Sequence, residues 1–412
     1  MRNFLITLFI LLLYFPAVFS QSLTNEQVSF LKKNTTTIFS DDLSQQPDWS
    51  FLLPHIKNKK IILVGEFTHG AKEIFEVRNS LIKYLHQHTG VKVILFESGI
   101  GELITANTNK ATMSPSQMTN GLFGPWRTKE FTDLMDYIKT QNISIAGFDV
   151  QRTGGSFTFV LNELAKKYKL DTTVSYTLES RYTEITRELS NRNAVYDSLK
   201  TKTTQLVDDY QKVKTSLSGY NTKENKEVLF AGITIHNRIH YLSYMLQFLK
   251  DKNWNKRWAA RDSAMANNTQ WLIDNIYGDQ PIIIIGHNFH LSKHNEKETV
   301  MGELLKTKYN STMYSIGIFA GAGTYSDNFG KDVNMKPADS TGLDIKHIIS
   351  HLPGSTSFLH IPAKFSKGNS WLNEEITIND TFIDISNSNK MVLSKGFDGL
   401  ILLKKISPAK VN

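Results

Sequence analysis

Glu66 and His69 stand three residues apart in Gly65-Glu66-Phe67-Thr68-His69-Gly70, a turn bracketed by glycines. These residue types suit a general base: an imidazole titrating near neutral pH, oriented and made more basic by a carboxylate, can deprotonate a water. A glutamate at a helix start can also simply complement the helix N-terminus, so the pair has to be read with its surroundings. Further ionisable groups occupy equivalent places. Glu97 follows Val93-Ile94-Leu95-Phe96, Asp149 follows Ile143-Ser144-Ile145-Ala146-Gly147-Phe148, and His287 and His290 follow four isoleucines and Gly286. Such a group at the end of a buried apolar run is costly unless it is paired or functional. Taken singly, each has a structural reading, as a satisfied core histidine or an ion pair. Four such run ends together point to one polar site. Arg78 falls nine residues after His69, two and a half helical turns along. From there it could pair with a carboxylate or stabilise developing negative charge, the alternative being a salt bridge on a helix surface.

The elements that would position these groups follow from the patterning. Continuous apolar runs of four to six residues read as parallel strands buried on both faces, and in open α/β sheets ligands bind beyond the carboxyl ends of the strands. Strands are expected at 60–65, 91–96 and 143–148, with helices at 71–88 and 128–141 between them. This β-α-β-α-β order argues for a doubly wound, mostly parallel central sheet flanked by helices. From 157 to 279 the chain changes character, with polar-rich helical periodicity and no proline until Pro281. We read an inserted helical bundle with helices near 171–213, 223–250 and 258–277. The sheet resumes at 281–287, followed by a helix near 301–308 and strands at 313–319, 355–361 and 400–404. Residues 22–56 read as an amphipathic lead-in with loops.

At 412 residues with 40% apolar and 11% aromatic side chains, the chain can bury a large core. Residues 1–20 combine a basic start, a short apolar stretch and a small residue before Gln21, the marks of a secretory signal peptide cleaved after Ser20. Residues 21–412 are then an exported protein, with no membrane contact expected after cleavage. The absence of cysteine excludes disulfides, thiolate metal sites and a cysteine nucleophile. The net charge of +8 arises from 47 basic residues interleaved with 39 acidic ones, and no basic run alternates with aromatics, so no nucleic-acid partner is expected. The sequence has no Gly-x-Ser-x-Gly elbow, Walker loop or His-Glu-x-x-His, and only a broken dinucleotide pattern at Gly99-Ile100-Gly101.

Taken together, these motifs resemble the erythromycin esterase family. The resemblance rests on Gly65-Glu66-Phe67-Thr68-His69-Gly70, Phe96-Glu97-Ser98-Gly99, Gly147-Phe148-Asp149-Val150-Gln151, Arg261-Asp262 with Met265-Ala266-Asn267, Gly286-His287-Asn288-Phe289-His290 and Met301-Gly302, in the family's order. It implies metal-independent and cofactor-free hydrolysis of a small-molecule ester or lactone, in known members a macrolide antibiotic. Carried over by position, His69 would be the base that activates water, Glu66 would be the carboxylate that orients His69, and Arg78, Glu97, His287 and His290 would support the site. Arg78 or a protonated histidine could steady the oxyanion. Asp149 and Trp126 could bind substrate, the alternative for Asp149 being only to order the loop after the third strand, and Glu130 could line the cleft beside Trp126. Two other readings remain: a metal-dependent hydrolase using Glu66, His69, Glu97, Asp149, His287 and His290 as ligands, or a binding protein that holds an amphipathic ligand or haem without turnover.

Overall fold

The computed structural model describes residues 23–39, 47–191, 193–220, 222, 224–253, 256–339, 342–378 and 390–411. The stretch read as an export signal lies outside them. Among the described residues no helix is long and apolar enough to cross a membrane.

The centre is a nine-stranded sheet in the order β1 (Thr35–Phe39), β8 (Thr356–His360), β11 (Gly399–Ile406), β6 (Met313–Ser326), β2 (Ile61–Val64), β5 (Ile282–Ile285), β3 (Val93–Gly99), β4 (Ser144–Asp149), with β7 (Asp332–Asn334) paired to β6. From β11 to β4 every pairing is parallel, and β8 and β1 add an antiparallel edge. A separate two-stranded sheet joins β9 (Glu375–Thr377) to β10 (Lys390–Val392). The central strands are buried along their whole length because both faces are covered, and their side chains alternate between two cores. Ile62, Val64, Ile94, Phe96, Ile283 and Ile285 enter one; Ile61, Leu63, Val93, Leu95, Ile282 and Ile284 enter the other.

The flanking helices are α1 (Asn25–Asn34), α2 (Lys72–Thr89), α3 (Ile100–Thr108), α4 (Lys129–Thr140) and α10 (Met301–Tyr309). Between β4 and β5 the chain is helical: α5 (Phe157–Lys167), α6 (Thr172–Leu189), α7 (Tyr196–Ser218), α8 (Lys226–Asp251) and α9 (Lys256–Leu272), closing in a π-helical turn, Ile273–Tyr277. These helices share a core of their own. A buried ion network ties them to the sheet domain: Arg238 of α8 donates to Glu102 of α3 at 2.8 Å and to both oxygens of Glu179 of α6 at 3.2 Å. Tyr210 of α7 donates to Glu179 at 2.7 Å.

Two expectations are corrected. The helix read over 171–213 is broken into α6, ending at Leu189, and α7, starting at Tyr196; between them the Asn193 N–H bonds the Asn191 side chain at 2.9 Å, the local bonding by which asparagine favours turns. The lead-in also contributes a strand, since the β-branched run Thr35-Thr36-Thr37-Ile38 pairs with β8.

Candidate active site

Strand register brings the ionisable groups together. Val64, Ile285, Phe96 and Gly147 are successive register partners across β2, β5, β3 and β4. Glu97 is therefore one residue past a common level, and Glu66, Asp149 and His287 two past it. Because the strands are parallel, all lie at the same end of the sheet. The turn after β2 needs glycine: a Cβ on Gly65 would sit 2.1 Å from Oδ1 of Asn288, whose backbone N–H donates to the Glu66 carbonyl at 2.7 Å and whose side chain bonds the Ile318 backbone of β6.

Glu66 is fully buried and satisfied by three donors. His69 Nδ1–H donates to Oε1 at 2.6 Å, Trp126 Nε1–H donates to the same oxygen at 2.7 Å, and Arg78 Nη1–H donates to Oε2. With Nδ1 committed to the carboxylate, His69 is set in one tautomer with Nε2 as the nitrogen for proton transfer. Its ring stands edge-on to Phe123 and Trp126, with centroids 5.1 and 5.7 Å away.

Across a cavity of about 230 Å³, lined by His69, Glu97, Phe123, Trp258, Arg261 and His290 among others, lies a second charged group. Arg261 of α9 donates to Asp149 through Nε (3.2 Å) and Nη2 (2.6 Å), and through Nη2 to Glu97 at 2.8 Å. His290 donates from Nδ1 to Asp262 at 2.9 Å and holds Nε2 3.4 Å from Glu97. Burial pushes the Glu97 carboxyl up, but His290, Arg261, His69 and the His287 N–H together hold it well below the usual carboxylate range. Burial pulls His290 down, and Asp262 and Glu97 more than reverse this, so its pKa is raised; Arg261, whose Nη1 stands 3.1 Å from His290 Nε2, opposes the shift. His287 is different. Its Nε2–H donates to the Phe67 carbonyl at 2.8 Å and its Nδ1 accepts from the Phe289 N–H at 3.1 Å, while burial and His69 drive its pKa far down. It is a neutral ring with both nitrogens occupied by backbone, and it packs 5.1 Å from the His69 ring.

Of the residues singled out from sequence, His69, Glu97, His287 and His290 line the cavity and Glu66 stands directly behind His69. Arg78 lies on the other side of Glu66, wholly buried among Phe75, Trp126 and Phe131, with ring centroids 5.0–5.5 Å from its guanidinium carbon. It answers Glu66 and is not among the cavity-wall residues; the arginine facing the cavity is Arg261. Trp126 is likewise buried and acts as a hydrogen-bond donor to Glu66, leaving Phe123, Trp258 and Phe289 as the large aromatics on the wall. Glu130 is not among the wall residues either. Asp149 orders its own loop by accepting from the Gln151 N–H at 3.0 Å and also anchors Arg261. Among the described residues no three His, Asp or Glu side chains are arranged to hold a metal ion. Arg261, Asp262, Phe123, Trp258 and Glu298 carried no role in the sequence reading, although Arg261-Asp262 belongs to the motif set quoted above.

The titrating groups set a pH dependence of stability. Glu97 and His287 have folded-state pKa values below their unfolded ones, so their contributions are present above the unfolded values (4.5 and 6.5) and are lost as pH falls toward the folded ones. His290 has the opposite sign: its contribution is full below pH 6.5 and is lost as pH rises through its raised folded value. His287→Asn is therefore expected to flatten the fall in melting temperature just below pH 6.5, measured by thermal melts across pH. An unchanged slope there would assign the acid limb to other groups.

The sequence profile of the erythromycin esterases matches residues 86–406. A putative hydrolase of Bacillus subtilis, YbfO, is 30% identical over 398 residues, covering 88% of this chain and 87% of that protein. An erythromycin esterase type II of Escherichia coli is 23% identical over 310 residues, covering 67% of this chain and 72% of that protein. The solved structure of an erythromycin esterase mutant in its open conformation superposes with a TM-score of 0.62 at 16% identity, covering 92% of this chain and 99% of that one.

Proposed function

Since the chain belongs to the erythromycin esterase family of hydrolases, we propose that it is an exported carboxylic ester hydrolase in which His69 activates water, with a lactone of macrolide type as the reference substrate. The observation that carries this reading is the buried Glu66–His69 pair facing, across one cavity, a guanidinium held by Asp149 and Glu97. In this scheme His69 Nε2 takes a proton from water as the oxygen attacks the ester carbonyl carbon. Arg261 and protonated His290 stabilise the oxyanion, and collapse of the tetrahedral intermediate breaks the acyl C–O bond. The His69 imidazolium returns its proton to the departing alkoxide. Glu66 orients His69 and stabilises its charged form, and Arg78 and Trp126 hold Glu66 in place.

The cleft favours an amphipathic substrate. Gln151, Trp258 and Arg261 also border a second space of about 220 Å³ walled by Tyr241, Tyr244 and Met245 beneath the helical insert. Aromatic faces with hydroxyl tips offer contact to a partly apolar, oxygen-rich ring.

The test is mass spectrometry of the purified chain incubated with a macrolide and with a panel of lactones and simple esters, before and after exhaustive chelation. The expected result is the gain of one water by at least one ester, unaffected by chelation. Failure across the panel would favour the binding-protein reading. Activity lost on chelation and restored by added metal would favour the metal-dependent one. Export is tested separately: protein recovered outside the cytoplasm is expected to begin at Gln21.

A further inference from the structure

The helical insert also holds a half-open cavity, larger than the catalytic one, whose chemistry the hydrolytic scheme does not use. It measures about 560 Å³, within the range of small-molecule sites, and is walled by α7, α8 and α9. Helix α9 borders both spaces, presenting Arg261 to the catalytic cavity and Ala264 and Trp271 to this one. Much of the wall is apolar: Leu217, Val228, Leu229, Ile233 and Trp271.

Three features indicate an occupant. First, the polar groups include donors without matching acceptors. Lys214 is half-buried with no carboxylate in ion-pair distance, and no Asp or Glu lines the cavity, among the described residues. Second, Asn237 is 2% exposed, and its amide Nδ2 has no hydrogen-bond partner among the described residues. A buried donor left this way is costly unless something supplies an acceptor. Third, Gly232 sits inside the 26-residue helix α8, where glycine is the poorest helix former after proline. A Cβ there would meet nothing within 4 Å, so no packing demand explains it; its effect is to leave the cavity wall open. Burial also depresses the pKa of the neighbouring His236 and His240, so these rings are neutral at pH 7 and add no competing charge.

We propose that this cavity binds an apolar monocarboxylate of fatty-acid type, with Lys214 answering the carboxylate, the Asn237 amide supplying a second donor, and the hydrocarbon lying along Leu229, Ile233 and Trp271. The site is separate from the catalytic cavity, and the inference does not rest on the proposed esterase activity.

The probe is dodecanoate below its micellar concentration, titrated calorimetrically into the full mature chain. Binding is expected to saturate at one site per chain. Gly232→Leu, which fills the cavity from its helical wall, is expected to weaken binding by about tenfold or more. Lys214→Gln is expected to weaken it by roughly threefold to fivefold. His69→Ala is expected to leave it intact, which separates this site from the catalytic one. Circular dichroism melts establish that each variant is folded; should Gly232→Leu fail to fold, Lys214→Gln and the alcohol control carry the test. Absence of saturable binding, unchanged affinity in the filled variant, or dodecanol binding as tightly as dodecanoate overturns the proposal. So does a dimer that Gly232→Leu abolishes, which would assign the groove to a second copy of this chain.

Discussion

His69→Ala is expected to lower kcat for ester hydrolysis by about 10²–10⁴-fold, the contribution of a positioned general base, with KM little changed. The fold should survive, because His69 sits at the cavity wall and its removal leaves Glu66 with two donors, Arg78 and Trp126. Glu66→Gln should behave differently. It removes the counter-ion of a wholly buried arginine whose Nε and Nη2 already have no partner among the described residues. Breaking a buried pair from one side costs about 3–5 kcal/mol. Activity and stability should therefore fall together in Glu66→Gln but separate in His69→Ala. Paired measurement of kcat and urea-denaturation midpoints checks both. A His69→Ala enzyme that retains turnover would remove His69 from the mechanism, and an equally stable Glu66→Gln would show that Arg78 does not depend on its carboxylate.

Arg261→Leu is the second large effect. The side chain is the cation shared by Asp149 and Glu97, both almost wholly buried, and its loss leaves two buried carboxylates close together without their shared counter-charge. A stability loss of about 3–5 kcal/mol is expected on the same grounds. The loss of an oxyanion donor should lower kcat by about 10²–10³-fold. The Glu97 pKa, now without one of its stabilising charges, should rise, moving the acid limb of the stability profile to higher pH. Arg261→Lys restores the charge but not the fork that spans both oxygens of Asp149, so it should recover much of the stability and little of the rate. Equal recovery of both would mean that charge alone, without the guanidinium geometry, accounts for the role of Arg261.

These two predictions differ in how visible their residues are along the chain. Glu66 and His69 are near neighbours in a glycine-bracketed turn at the end of a buried strand, so a local pattern reports a local structure. Glu97, Asp149 and His287 are found the same way, since parallel strands buried on both faces leave their carboxyl ends as the place for polar groups. Arg78 and Trp126 also stand out locally, but their direction does not. The amphipathic periodicity of α2 fixes which face is buried, not whether a guanidinium on that face points to a cleft or into an aromatic cage. Here Phe75 and Phe131 close around Arg78 and place it behind Glu66.

The linear chain was enough to establish a parallel sheet, its polar end and the Glu66–His69 neighbours after β2, because hydrophobic period and strand-end residue type are properties of neighbouring positions. Arg261 was out of reach by that route. It lies 112 residues from Asp149 and 164 from Glu97, inside a polar helix whose charges look like any solvated face. Its role depends on how the helical insert docks, and that docking is set by long-range contacts such as Arg238 with Glu102, 136 residues apart. Folding across such separations makes partners of residues whose local sequence says nothing of one another. For that reason the cavity-facing cation Arg261, the neutral state of His287 and the large cavity of the helical insert belong to the folded molecule alone.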